Sequence, residues 1–181
     1  MKLTDMLTTE LACLSRPIRV VETGSIRIDD ETIRDDDGWS TLWFALQGDV
    51  LLHTIDLDVS VAQRVLDRHS VKERVTFLQG HSIGRLAELI ASQGASSFDV
   101  AFLDSGNSPE LILHEFLIAL VLVRSGGMIL IDDVAIKAKP HTGGHKGTAV
   151  IEYLQQCHLP YSLIERSGPK YSTGVLRYSR P

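Results

Sequence analysis

Five acidic residues stand where they could do chemistry. Glu22, Asp56, Asp104 and the pair Asp132-Asp133 close the short apolar runs IRVVE (18–22), VLLHTID (50–56), FDVAFLD (98–104) and MILID (128–132). A lone polar residue at the end of such a run shows only that the chain is leaving the core. Several carboxylates brought to one place are different, because like charges repel unless a cation or a donor-rich ligand offsets them. Around them lie other residues with binding chemistry. Gly24 follows Glu22 by two positions and, lacking a side chain, lets a ligand come close to the backbone. Gly38, Trp39, Ser40 and Thr41 open a helical pattern, and free N–H groups at a helix start suit a carboxylate or a phosphate.

The elements that must position these groups follow from apolar patterning. Five short, β-branched, continuously apolar runs read as strands: 18–22, 50–56, 75–79, 98–104 and 128–132. Continuous apolarity suits a parallel sheet covered on both faces. Helical spacing recurs between them, over about 40–47, 59–68, 84–93 and 109–123, with Pro109 placed in a first helical turn and Gly126-Gly127 as the stop. A further helix near 148–156 precedes two strand-like runs, 161–165 and 173–177, separated by RSGPKYS, which read as a terminal hairpin. The expectation is an α/β fold: a Rossmann-like, doubly wound, mainly parallel seven-stranded sheet with a C-terminal antiparallel hairpin. No repeat, low-complexity tract or long linker divides residues 1–181, so a single domain is expected. In open sheets of this class ligands bind at the carboxyl ends of the strands, and four of the five strands deliver acids to that edge. A carboxylate ending the second strand, here Asp56, can accept both hydroxyls of a ribose.

Bulk properties narrow the function. A net charge of −5 disfavours nucleic acid and anionic membrane as partners. Cys13 and Cys157 lack metal-type or redox-type spacing, which suggests reduced thiols in a cytoplasmic setting. The N-terminal stretch does not read as a signal peptide, and the most apolar segment, 111–123, is too short to span a bilayer. Neither the G-x-G-x-x-G fingerprint nor the phosphate-loop motif is present. A nucleoside ligand without a pyrophosphate is therefore favoured over a dinucleotide.

Taken in order, E-x-G (22–24), G-W-S (38–40), I-D-L-D (55–58), F-L-D (102–104) and I-D-D (131–133) resemble the motifs of class I S-adenosylmethionine-dependent methyltransferases. The closest resemblance is to the metal-dependent small-molecule O-methyltransferases of the catechol and macrocin or sugar types, and the Asp-Asp pair favours the latter. It covers about two thirds of the chain, Val20 to Val134. By that resemblance Glu22, Gly24, Ser25, Gly38 and Ser40 would hold the amino-acid end of the cofactor. Asp56 would hold its ribose, and Gly80, His81 and Ser82 would lie along the adenine. Asp104, which also borders the cofactor, would join Asp132 and Asp133 on Mg²⁺ or another divalent cation, whose octahedral shell suits oxygen ligands. The acceptor would be a small molecule.

The chain departs from that pattern in three places. Relatives carry Lys or His three residues after the fourth-strand Asp; Asn107 stands there and cannot take a proton. Substitute bases are His141 and His145 in the His/Gly-rich loop 137–147. An acidic insertion, 25–37, follows E-x-G and reads either as a lid or as a solubilising loop. Few residues precede the first strand, so the acceptor pocket is expected to be shallow, loop-built or completed in a homodimer. A non-catalytic nucleoside-binding module that has lost its base is the alternative. His53 and His114 read as packed structural residues, and Trp39 and Trp43 as core.

Overall fold

The computed structural model describes residues 2–30, 32, 39–135, 145–165 and 173–181. The chain runs through α1 (Leu3–Leu11), β1 (Ile18–Thr23), α2 (Ser40–Leu46), β2 (Val50–Asp56), α3 (Ser60–Arg68), β3 (Val75–Gln79), α4 (Ser82–Gln93), β4 (Phe98–Leu103), α5 (Pro109–Leu122), β5 (Val123–Ala135), α6 (Thr148–Gln156), β6 (Ser162–Glu165) and β7 (Thr173–Ser179). The strands form one sheet in the order β3-β2-β1-β4-β5-β7-β6. The first five are mutually parallel. β7 runs antiparallel to both β5 and β6, which is the terminal hairpin.

Period-two alternation along each strand builds two cores. Val20, Leu52, Val100, Phe102 and Leu130 face one side with Leu7 of α1, Phe44 of α2 and Val65 of α3. Val21, Ile55, Ala101, Leu103, Ile129 and Ile131 face the other, against Leu86 of α4, Phe116 of α5 and Val150 of α6. Both faces of the central sheet are covered, so β4 is buried along its whole length, and each buried aliphatic or Phe side chain contributes about 1.5–3 kcal/mol. Trp39 lies in the first core with Trp43 packed against it, as expected.

Three features differ from the sequence expectations. α1 is a helix that no pattern announced; it buries Met6, Leu7 and Leu11, and its Glu10 accepts from Arg177 of β7 at 2.5 Å. The fifth helix does not run on to Gly126-Gly127. It ends at Leu122, and β5 begins at once with Val123 in extended conformation. The glycines lie inside the strand segment, where a Cβ on Gly127 would come within 2.5 Å of the Asp99 carbonyl oxygen. His114 is exposed rather than packed, whereas His53 is a half-buried structural residue. Its Nε2 meets Gln93 at 3.0 Å and its ring stands edge-on to Phe98; burial, then the Arg19 charge, lowers its pKa. No helix among the described residues is long and apolar enough to cross a membrane.

Candidate active site

Between β1 and β4 the winding of the sheet reverses, and at such a switch point the loops leaving neighbouring strands part to open a crevice. A cleft of about 170 Å³ lies there, lined by residues leaving the ends of β1, β2, β3 and β4: Gly24, Asp56, Gly80 with His81 and Ser82, and Ser105. Ladder-like bonds beyond the strand ends shape its wall, from Gly24 N–H to Ile55, from Gly80 N–H to Asp56 and from Asp104 N–H to Thr23. Gly24 has φ +88°, and a Cβ on it would lie 2.2 Å from the Asp104 carbonyl oxygen. Its lack of a side chain thus serves first to let the β1 and β4 ends close on one another, and its surface then forms part of the cleft.

Asp56 lines the same cleft. Its Oδ2 accepts the Ser25 N–H at 2.8 Å and the Ser25 hydroxyl at 3.3 Å, and Oδ1 accepts the Leu57 N–H at 2.7 Å. Backbone donors fix the carboxylate's orientation, and a carboxylate has lone pairs to spare for a diol. Glu22 lies deeper. Fully buried, it takes the Ser40 hydroxyl on Oε1 at 2.6 Å and the Thr41 and Thr54 hydroxyls on Oε2, both at 2.7 Å. Burial is the main reason its pKa rises from 4.5 to about 7; the three hydroxyls oppose the rise, and Asp104 adds to it. Glu22 therefore braces the start of α2 beneath the cleft and does not line it.

Asp104, Asp132 and Asp133 come together, with one carboxylate oxygen of each within 4.8 Å of the others. Consecutive residues in a regular strand point to opposite faces, so the Asp132-Asp133 pair needs an explanation. β5 supplies it. The pairing with β7 slips between Ile131 and Val134, and Asp133 has φ +56°, a left-handed conformation rare outside glycine. The bulge lets both carboxyls approach Asp104, and Asp132 Oδ1 accepts the Asp133 N–H at 2.9 Å.

Sequence reasoning missed the cation in this cluster. Lys146, in the turn before α6, is buried and donates from Nζ to Asp104 Oδ1 at 2.5 Å; Asp133 Oδ2 lies 4.0 Å away. The loop's histidines drew attention, yet the lysine between His145 and Gly147 reaches the carboxylates. Gly147 seats it, because a Cβ there would fall 2.6 Å from a methyl of the buried Val134. Burial raises the pKa of Asp104; Lys146 opposes that rise most strongly, Asp133 adds to it and Arg27 again opposes it. Two further groups went unforeseen. Arg27, from the acidic insertion, lines the cleft. Glu115, buried on α5, accepts the Thr23 hydroxyl at 2.7 Å and the Ser105 hydroxyl at 2.6 Å, which ties the β4–α5 loop down.

Ser25 and Ser40 are buried against Asp56 and Glu22 respectively. Within the insertion 25–37, Ile26 is buried in the first core and Asp29 pairs with Arg68 of α3. His145 is half-buried beside Lys146, its N–H donating to the Thr148 hydroxyl at 3.1 Å. Asn107 sits in the β4–α5 loop. Gly38, His141 and most of the loop 137–147 lie outside the described residues.

A parallel sheet continued by an antiparallel hairpin, with a cleft lined by Asp56 at the switch point, defines the Rossmann-like methyltransferase architecture. A model of the methyltransferase domain matches residues 36–134, more than half of the chain, and the protein belongs to that family. No curated protein matches the sequence. Solved structures share the fold at low identity. The O-methyltransferase TomG from Streptomyces achromogenes, involved in tomaymycin synthesis and crystallised with S-adenosylmethionine, superposes with TM-score 0.73 at 23% identity, covering 99% of this chain and 79% of that one. An O-methyltransferase from Bacillus cereus with S-adenosylhomocysteine gives TM-score 0.72 at 18% identity, covering 99% and 80%. Cofactor-bound Rv0187 from MTB gives TM-score 0.73 at 23% identity, covering 96% and 77%.

Proposed function

We propose that the protein transfers the methyl group of S-adenosylmethionine to a hydroxyl oxygen of a small molecule. The observation that carries this reading is the switch-point cleft lined by Asp56, whose carboxylate Ser25 and Leu57 hold, in a sequence without a phosphate-loop motif. Family membership supports it, as do the cofactors named with the TomG and Bacillus cereus structures. In this reading Asp56 receives the ribose diol and Gly80, His81 and Ser82 border the adenine. Gly24, Ser25, Gly38 and Ser40 surround the amino-acid end, with Glu22 acting through Ser40 and Thr41. The acceptor oxygen attacks the sulfonium methyl carbon as the S–CH₃ bond breaks, giving a methyl ether, S-adenosylhomocysteine and one released proton. Positioning dominates such an in-line displacement. Asp104, His145 and His141 are the candidates to take the acceptor's proton. Two exposed free thiols, Cys13 and Cys157, suit a reducing cytoplasmic setting.

A divalent cation would be held by Asp104, Asp132 and Asp133 and would lower the pKa of a bound hydroxyl. The convergence of three carboxylates supports that version. The buried Lys146 ammonium on Asp104 does not fit it, since Asp104 Oδ1 already has a cation. The test is transfer of labelled methyl from S-adenosylmethionine to a panel of hydroxylated acceptors, catechols and sugars included. Turnover that falls sharply in Asp56→Ala supports the reading; S-adenosylmethionine that neither binds nor turns over with any acceptor overturns it.

A further inference from the structure

We infer that Lys146 is the resident cation of the carboxylate cluster, holding the place a divalent ion would take, so that the site works without bound Mg²⁺ or Mn²⁺. The inference deepens the methyl-transfer reading and rests on it only for what the site acts upon, because cation binding is measured without turnover.

Of the three carboxylates, Asp104 and Asp132 are buried and Asp133 is about half exposed. The charge that most needs an internal partner is therefore on the buried pair, since a buried charge persists only when paired and hydrogen-bonded. Lys146 supplies that partner. Its side chain is 4% exposed, its Nζ is 2.5 Å from Asp104 Oδ1 and 4.0 Å from Asp133 Oδ2. A hard divalent ion bound to these oxygens would sit about 2.0–2.6 Å from each, a space that an ammonium in hydrogen-bond contact with the same oxygen already fills. Two cations sharing so small a buried volume would repel strongly, and Lys146 has little freedom to leave. Gly147 behind it is packed against the branched side chain of Val134, and α6 starts at Thr148.

The position three residues after Asp104 is Asn107, which carries no charge, while the lysine that reaches Asp104 comes after β5, 42 positions on. An ammonium has three donors, so beyond Asp104 it keeps N–H groups for a second carboxylate or an acceptor oxygen. It delivers fixed positive charge and hydrogen bonds where a metal would deliver Lewis acidity.

The experiment is calorimetric titration of the purified chain, stripped with chelator, with Mn²⁺ and Mg²⁺. The wild type is expected to show no saturable site. Lys146→Met, which keeps the length and removes the charge, is expected to gain a Mn²⁺ site with Kd on the order of 10⁻⁴ to 10⁻³ M, as for loosely held hard-cation sites. Lys146→Met/Asp132→Asn is expected to lose it again. A saturable wild-type Mn²⁺ site that disappears in Asp132→Asn overturns the inference, as does a folded Lys146→Met that gains none. Should Lys146→Met not fold, the wild-type titration decides the matter alone. S-adenosylhomocysteine binding, measured in parallel, reports separately on the methyl-transfer reading.

Discussion

Glu22 makes stability depend on pH in an unusual direction. Its carboxyl is sealed beneath the cleft among three hydroxyls, and its pKa is pushed from 4.5 to about 7, chiefly by burial. Below pH 4.5 it is neutral in both folded and unfolded chains and costs nothing. Between 4.5 and 7 the unfolded chain releases the proton while the folded chain keeps it, so stability falls as pH rises, and above 7 the loss is complete. At about 1.4 kcal/mol for each tenfold change in proton affinity, the loss is on the order of 3 kcal/mol. Glu22→Gln removes the charge while leaving an acceptor and a donor among hydroxyls that can rotate to suit. Urea denaturation of both chains at pH 5, 6, 7 and 8 measures the effect. The variant is expected to gain on the wild type across that range, by roughly 6–12 °C in midpoint temperature if followed by heating. Parallel stability curves for the two proteins from pH 5 to 8 would refute the reasoning, because they would mean that Glu22 ionises alike in both states.

Other expectations follow from close contacts. Gly24→Ala puts a methyl 2.2 Å from the Asp104 carbonyl oxygen at φ +88° and should lower stability by about 3 kcal/mol or more, with loss of cleft binding; unchanged melting would contradict the contact. Gly147→Ala overlaps the methyls of Val134 at 2.6 and 2.8 Å, so it should destabilise the protein, and Val134→Ala in the same chain should recover part of the loss. Glu115→Ala leaves the Thr23 and Ser105 hydroxyls without their acceptor and should cost about 1–3 kcal/mol, whereas Glu115→Gln should cost less; equal losses would show that the hydrogen bonds are not the cause.

The central strands could be read from the sequence because they are buried on both faces, so residues such as Val20 and Val21 serve opposite cores and the run stays apolar. α6 was equally plain, its span 148–156 agreeing with the pattern. The boundary between α5 and β5 was not. Leu120 to Val123 is apolar in either state, and periodicity cannot separate a buried helix end from a buried strand start. Asp104, Asp132 and Asp133 were visible as strand-end acids, and the structure brings them together through a bulge that no local pattern encodes. Lys146 escaped notice for the same reason: its contact with Asp104 depends on that bulge and on a glycine packed against Val134. The role of Glu115 is not legible in its own helix because its hydroxyl partners lie in β1 and the β4–α5 loop.

If the β1–β4 crevice accepts an adenosyl group with Asp56 on its ribose, titration of wild type and Asp56→Ala with S-adenosylhomocysteine will show it. Saturable wild-type binding is expected, weakened by about tenfold or more when the diol acceptor is removed, a loss of roughly 1.4 kcal/mol or greater. Equal affinity in the two proteins, or no wild-type binding, would contradict it.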